Sequence, residues 1–226
     1  MSTHHTYPSI RGWVADAMAV VDHLGGEEFI VVGLSGGGPY ALAVAHDYPD
    51  RVKACGLLGS VAPTIGDDAV PGGVVELTKR LHLLIRILSR PLGLSLQPLL
   101  TGVSPLAVIG LKGFSSFMPE GDQRVLSDPE IGAMFIDDLV TAGGTRLQAF
   151  FNDCALFGKH WGFELGDVSV PVWWWHGDAD SIVPIGHARQ TAKRLRNCEL
   201  IVRPNESHLG DFASAHEVIE VLARFM

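Results

Sequence analysis

The sequence predicts an α/β fold: a partial, mostly parallel sheet flanked by helices, with a helical cap inserted into it. Three observations carry this. Residues 29–59 read as strand, turn, helix and strand, a βαβ unit with the expected right-handed crossover. Residues 170–225 read as strand, helix, strand and helix. The residues between them switch to helical periodicity and are too many for a single crossover. They are assigned to a cap over the carboxyl edge of the sheet. The core is then residues 1–61 and 166–226, and the cap residues 62–165.

Each element follows from its residues. In residues 9–24, Ile10, Trp13, Val14, Ala17, Val21 and Leu24 recur at helical spacing, and Gly25-Gly26 ends the helix. Residues 29–32, with Leu34 close behind, are apolar and mostly β-branched, as in a strand buried on both faces. Pro39 suits the first turn of the alanine-rich helix that runs to about His46. Residues 47–51 are a loop, and residues 52–59 a second strand containing Cys55. Inside the cap, residues 74–88 and 129–151 are helical by periodicity. Residues 91–111 carry no charge, but Pro98, Pro105 and three glycines interrupt them, so they read as apolar lid structure and not a membrane span. Val170-Pro171-Val172-Trp173-Trp174-Trp175 returns to strand, with its tryptophans on alternating faces. Residues 185–195 are a helix, residues 199–203 the last strand, and residues 213–225 a closing helix.

Between the first strand and its helix lies Gly33-Leu34-Ser35-Gly36-Gly37, a G-x-S-x-G turn. A serine on a sharp strand-to-helix turn sits in a strained backbone, and side chains two positions to either side are expected to collide. Gly33 and Gly37 are read as removing those side chains. The Gly36 amide, next to the helix N-terminus, is expected to point where an oxyanion forms. A rival reading is dinucleotide binding, because residues 36–41 fit G-x-G-x-x-A. It requires a carboxylate at the end of the next strand, where Leu58-Gly59-Ser60 stands instead.

Ser35 is therefore a candidate nucleophile. His208, in the polar loop after the last strand, is the candidate base, and Asp180, just beyond the strand of tryptophans, the candidate orienter. A serine hydroxyl is a weak nucleophile until a base takes its proton, and the imidazole needs a carboxylate to fix its tautomer. Taken singly, Asp180 would be a turn residue and His208 a surface histidine. The order Ser, Asp, His on three loops at one sheet edge gives them joint weight. Asp178 is the alternative acid. His176 and His187 are read as structural.

With V-G-L-S-G-G-G-P-Y-A-L-A, then P-D-R-V, then H-G-D-A-D-x-x-V-P, then S-H-L, the sequence resembles the α/β-hydrolase superfamily from the serine turn to the C-terminus. The resemblance places the acid of G-x-x-D-x-x-V-P at Asp180. Ser207 departs from it, since the family usually has glycine before the histidine. The resemblance also implies about four strands and a His-Gly oxyanion segment ahead of the nucleophile strand, and residues 1–24 contain nothing of the kind. Two expectations follow. The sequence is a piece of a longer chain, or it completes its sheet edge by pairing with a second chain. Residues 29–32 carry no proline or lysine to protect such an edge, so self-association there is expected.

Composition narrows the partners. A net charge of −8 argues against nucleic acid and anionic membrane surfaces. Cys55, Cys154 and Cys198 lack C-x-x-C spacing, which points to a reducing, cytoplasmic setting and no metal site. The expected function is a serine hydrolase that cleaves a small, mostly apolar carboxylic ester through an acyl-enzyme on Ser35, with no metal or organic cofactor. The alternative expectation is a truncated, non-catalytic binding or interaction protein on the same scaffold.

Overall fold

In the computed structural model, residues 5–70, 119–144, 148–210, 212 and 215–226 are described. Among these residues, four strands form one sheet in the order β1 (Phe29–Leu34), β2 (Val52–Leu58), β3 (Val172–Gly177), β4 (Cys198–Arg203), all parallel. Leu34 pairs with Leu58, Leu58 with Trp175, and Gly177 with Arg203. The carboxyl ends of the strands thus lie side by side, and the loops leaving them open onto one edge.

The first helix, α1 (Val14–His23), is preceded by a 3-10 turn over Arg11–Trp13, within the range its periodicity predicts. Gly25, at φ +71, ends it in the left-handed region that glycine adopts without strain. In α2 (Gly38–Asp47), Ala41, Leu42, Ala43, Val44 and Ala45 are all buried. That run fits a helix enclosed between the sheet and other helices, and its small alanines allow close approach.

The two faces of the sheet carry separate apolar cores. Val31, Cys55, Leu57, Val172 and Trp174 pack with α1, α2 and α6 (Gly186–Ala192). Ile30, Ala54, Leu58, Trp173 and Trp175 point the other way, against Val218 and Leu222 of α7 (Ala215–Leu222). The period of two along each strand accounts for this division.

Between β2 and β3 the described residues form α3 (Glu120–Ser127), α4 (Pro129–Gly144) and α5 (Gln148–Phe157). Asp128 caps α4, its Oδ1 accepting the amides of Glu130 and Ile131, and Pro129 takes the first position. The helix expected over residues 74–88 and the apolar stretch over residues 91–111 lie outside the described residues. Among the described residues, no helix is long and apolar enough to cross a membrane. β1 forms one edge of the sheet, and its Val32 is 48% exposed.

Candidate active site

The turn after β1 is strained where the motif requires it. Ser35 has φ +52, a left-handed conformation that a non-glycine residue rarely holds. A Cβ at Gly33 would lie 2.5 Å from the Gly37 carbonyl oxygen, so the chain folds back over this position. The expectation for Gly37 is corrected. A Cβ there meets nothing within 4 Å, whereas one at Gly38 would lie 1.8 Å from Ser60 Oγ. The close approach falls one residue later because the first turn of α2 presses on the chain leaving β2. Gly36 sits in the 3-10 turn Ser35–Gly37, and a Cβ there would lie 2.8 Å from the Phe157 ring at the end of α5.

Ser35, His208 and Asp180 form one hydrogen-bonded line. The Ser35 hydroxyl lies 2.8 Å from His208 Nε2, and His208 Nδ1 lies 2.8 Å from Asp180 Oδ2. A carboxylate only accepts, so Nδ1 carries the proton and Nε2 is left to accept from the serine. Asp180 is buried, and its Oδ1 accepts the amides of Ile182 at 2.9 Å and Val183 at 2.8 Å. These bonds replace the water that burial removes from the charge. The line therefore offers a serine proton to a neutral imidazole whose charged form has a fixed counter-charge.

Asp178 is elsewhere. It is exposed, and its Oδ1 accepts the Asn205 amide at 2.7 Å, which ties the loop after β3 to the loop after β4. His176 is fully buried and has one tautomer. The Trp174 indole N–H donates to its Nδ1 at 3.1 Å, and its Nε2–H donates to the Val183 carbonyl at 2.7 Å. Val183 in turn donates to Asp180, so His176 braces the loop that holds the carboxylate. Burial pushes the His176 imidazole below its ordinary pKa, which keeps it neutral. His187 is buried in α6.

Sequence reasoning did not single out Phe157 or Asp122. Asp122 is buried in α3 and accepts from residues beside His208. The sequence signal available for it was the departure from glycine at Ser207. Among the described residues, no group of three or more His, Cys, Asp or Glu is placed to hold a metal ion. Burial pushes the Cys55 thiol up, that of Cys154 to about 11 and that of Cys198 to about 12, so none offers a thiolate at neutral pH.

Residues 2–209 match the family described as serine aminopeptidase, S33. The chain is 30% identical over 202 residues to a non-heme haloperoxidase from Rhodococcus erythropolis, a match that covers 87% of this chain and 66% of the haloperoxidase. It thus spans somewhat under two thirds of that relative's length. A thermophilic esterase from Thermogutta terrifontis superposes with TM-score 0.64 at 18% identity, over 99% of this chain and 74% of the esterase. A bromoperoxidase from Bacillus anthracis superposes with TM-score 0.64 at 19% identity, over 100% of this chain and 76% of its own. At these identities the superpositions establish the fold: a mostly parallel sheet flanked by helices, as in other α/β hydrolases.

Two outcomes follow from this geometry. Gly37→Ala is expected to leave the free energy of urea unfolding within about 0.5 kcal/mol of the parent, while Gly38→Ala loses ~1–3 kcal/mol through overpacking against Ser60. Equal effects in urea unfolding would reject the assignment of the close contact to position 38. The second outcome concerns pH. The unfolded imidazole of His176 takes a proton near its ordinary value of 6.5 that the folded one refuses, so its contribution is complete above that value and is lost as pH falls below it. His176→Gln should flatten this part of the stability profile, and an unchanged slope between about pH 6.5 and 5 would exclude His176 as its source.

Proposed function

Because the chain belongs to the serine aminopeptidase, S33, family of α/β hydrolases, we propose that it is a serine hydrolase acting on small, mostly apolar carboxylic esters through an acyl-enzyme on Ser35. The observation that carries this reading is the hydrogen-bonded line from Ser35 through His208 to Asp180, anchored on a serine held at φ +52. In this proposal Ser35 Oγ attacks the ester carbonyl as its proton passes to His208 Nε2. Asp180 holds the imidazole in place and stabilises the imidazolium. The Gly36 amide receives the developing oxyanion, and His208 returns the proton to the departing alcohol. Water then attacks the acyl-enzyme along the same path and releases the acid. The Phe157 ring against Gly36 gives this side of the turn an apolar wall, which suits an apolar acyl group.

The remaining assignments belong to the same proposal. Residues 62–165 act as a cap that shapes substrate choice, no cofactor takes part, and the setting is reducing and cytoplasmic. The three cysteines are free thiols, as such a setting favours. The edge of β1, with Val32 exposed, is a surface for self-association.

Ser35→Ala is expected to reduce hydrolysis of an activated phenyl ester to background and to abolish labelling by a fluorophosphonate. Asp180→Asn should lower kcat by about 10⁴-fold, with Asp178→Asn within a few-fold of the parent. Turnover by Ser35→Ala equal to the parent's would remove the nucleophile. A parent protein that neither labels nor turns over ester would favour a binding or interaction protein on the same scaffold. Light scattering tests the edge: Val32→Lys should lower the associated fraction, and a monodisperse monomer before the substitution would dismiss association through β1.

A further inference from the structure

We infer that Asp122, on α3 of the segment between β2 and β3, is a positioning residue for His208 that clamps the chain on both sides of it. The inference rests on the proposed hydrolytic role of Ser35, His208 and Asp180. Asp122 is 1% exposed. Its Oδ1 accepts the Ser207 hydroxyl at 2.6 Å and the Leu209 amide at 2.6 Å. One oxygen thus takes donors from the residues immediately before and after the imidazole. Ser207 and His208 are themselves buried, so solvent offers little competition for these bonds.

The fit between α3 and this loop is close. A Cβ at Gly121 would lie 2.6 Å from Ser207 Oγ and 3.1 Å from Ser207 N, so the helix reaches the loop only with glycine at that position. Arg124 pairs with Glu206 at 2.5 Å on the exposed rim, where an ion pair contributes little by itself. Asp122 stands in the first turn of α3, where the helix dipole favours a negative charge. From the opposite side the Ala179 amide donates to the Glu206 carbonyl at 2.9 Å, and Asp178 holds Asn205. The His208 loop is therefore fastened to the core on one side and to α3 on the other. With its two neighbours fixed, the imidazole keeps only its own side-chain torsions, and the bonds to Asp180 and Ser35 set those. The serine at 207, where glycine would supply no side-chain hydroxyl, is explained as half of the clamp.

In the test, Asp122→Ala, Asp122→Asn, Ser207→Ala and the double variant Asp122→Ala with Ser207→Ala are assayed on an activated phenyl ester. The His208 Nδ1–H proton is followed by NMR and identified by its loss in His208→Gln. Asp122→Ala should lower kcat by about 10²-fold with KM nearly unchanged, the effect of a small misplacement of a reacting group. It should also speed solvent exchange of the Nδ1–H proton. Asp122→Asn keeps an acceptor oxygen for both donors and should restore most of kcat and of the proton signal. Ser207→Ala should lose less than Asp122→Ala, and the double variant should be no worse than Asp122→Ala alone. A parent-like kcat and proton signal in Asp122→Ala would overturn the inference, as would Asp122→Asn as impaired as Asp122→Ala. If Asp122→Ala fails to fold, Ser207→Ala and Asp122→Asn decide by the same criteria. If the parent turns over no ester, the hydrolase proposal fails and the proton signal alone decides the clamp.

Discussion

The arrangement at the sheet edge depends on the buried carboxylate of Asp180. A charge this far from water persists only when its oxygens are fully occupied by donors. Two come from the backbone, at Ile182 and Val183, a third is His208 Nδ1–H, and His176 Nε2 stands 3.4 Å from the oxygen that His208 contacts. The amides require the chain to turn tightly just after β3, and His176 holds that turn through the Val183 carbonyl. The imidazole requires the loop after β4 to reach back to β3. One charge thus dictates the conformation of two loops, and its contact with His208 orients Nε2 toward Ser35.

The sheet makes this possible through its register. Parallel strands that end in line release their loops on one side, and β1, β3 and β4 each deliver one member of the line. Alternation along the strands does the rest. Trp174 and Trp175 fill opposite cores, so β3 is anchored from both faces and cannot shift register without exposing an indole. The strain at Ser35 is opposed by the packing of α2, whose first turn sits on the chain after β2 with no room for a side chain at Gly38. A left-handed serine persists because its surroundings leave it no other place to go.

Most of this was legible in the sequence because it is local or periodic. Strand period, helix stops at glycine, and the G-x-S-x-G turn are properties of short windows, and the strands and helices of the core fall where those windows put them. Ser35, His208 and Asp180 were readable only jointly, from their order and from the ends of predicted strands, and the structure brings the three within hydrogen-bonding distance. Gly37 was misread because motif spacing marks which residues are small, whereas the neighbour that demands smallness, Ser60, comes from the chain just after β2. Asp122 was not legible for the same reason: its partners are Ser207 and Leu209, far along the chain. In isolation it is one more acidic residue in a polar helix turn.

That failure shows where the intervening segment acts. Read from composition, residues 62–165 are apolar material over an edge, with substrate choice as their natural role. In the structure, α3 inserts a carboxylate beside the imidazole, and α5 ends with Phe157 against Gly36. The first contact falls on the two neighbours of His208, which would handle the proton, and the second on Gly36, which would receive the oxyanion, not on a distant pocket wall. Tyr40 of α2 extends the same attachment by donating to Asp153 of α5 at 2.6 Å, and burial raises its phenol, so the donor stays protonated. Within the same segment, Thr64 donates a buried bond to the Phe157 carbonyl at 2.8 Å and so ties the end of α5 to the chain just after β2. An insertion fastened at these points cannot move as a loose lid without releasing buried donors, and each such release costs about 1–3 kcal/mol. The physical expectation is that the segments carrying α3 and α5 form part of the site's rigid frame.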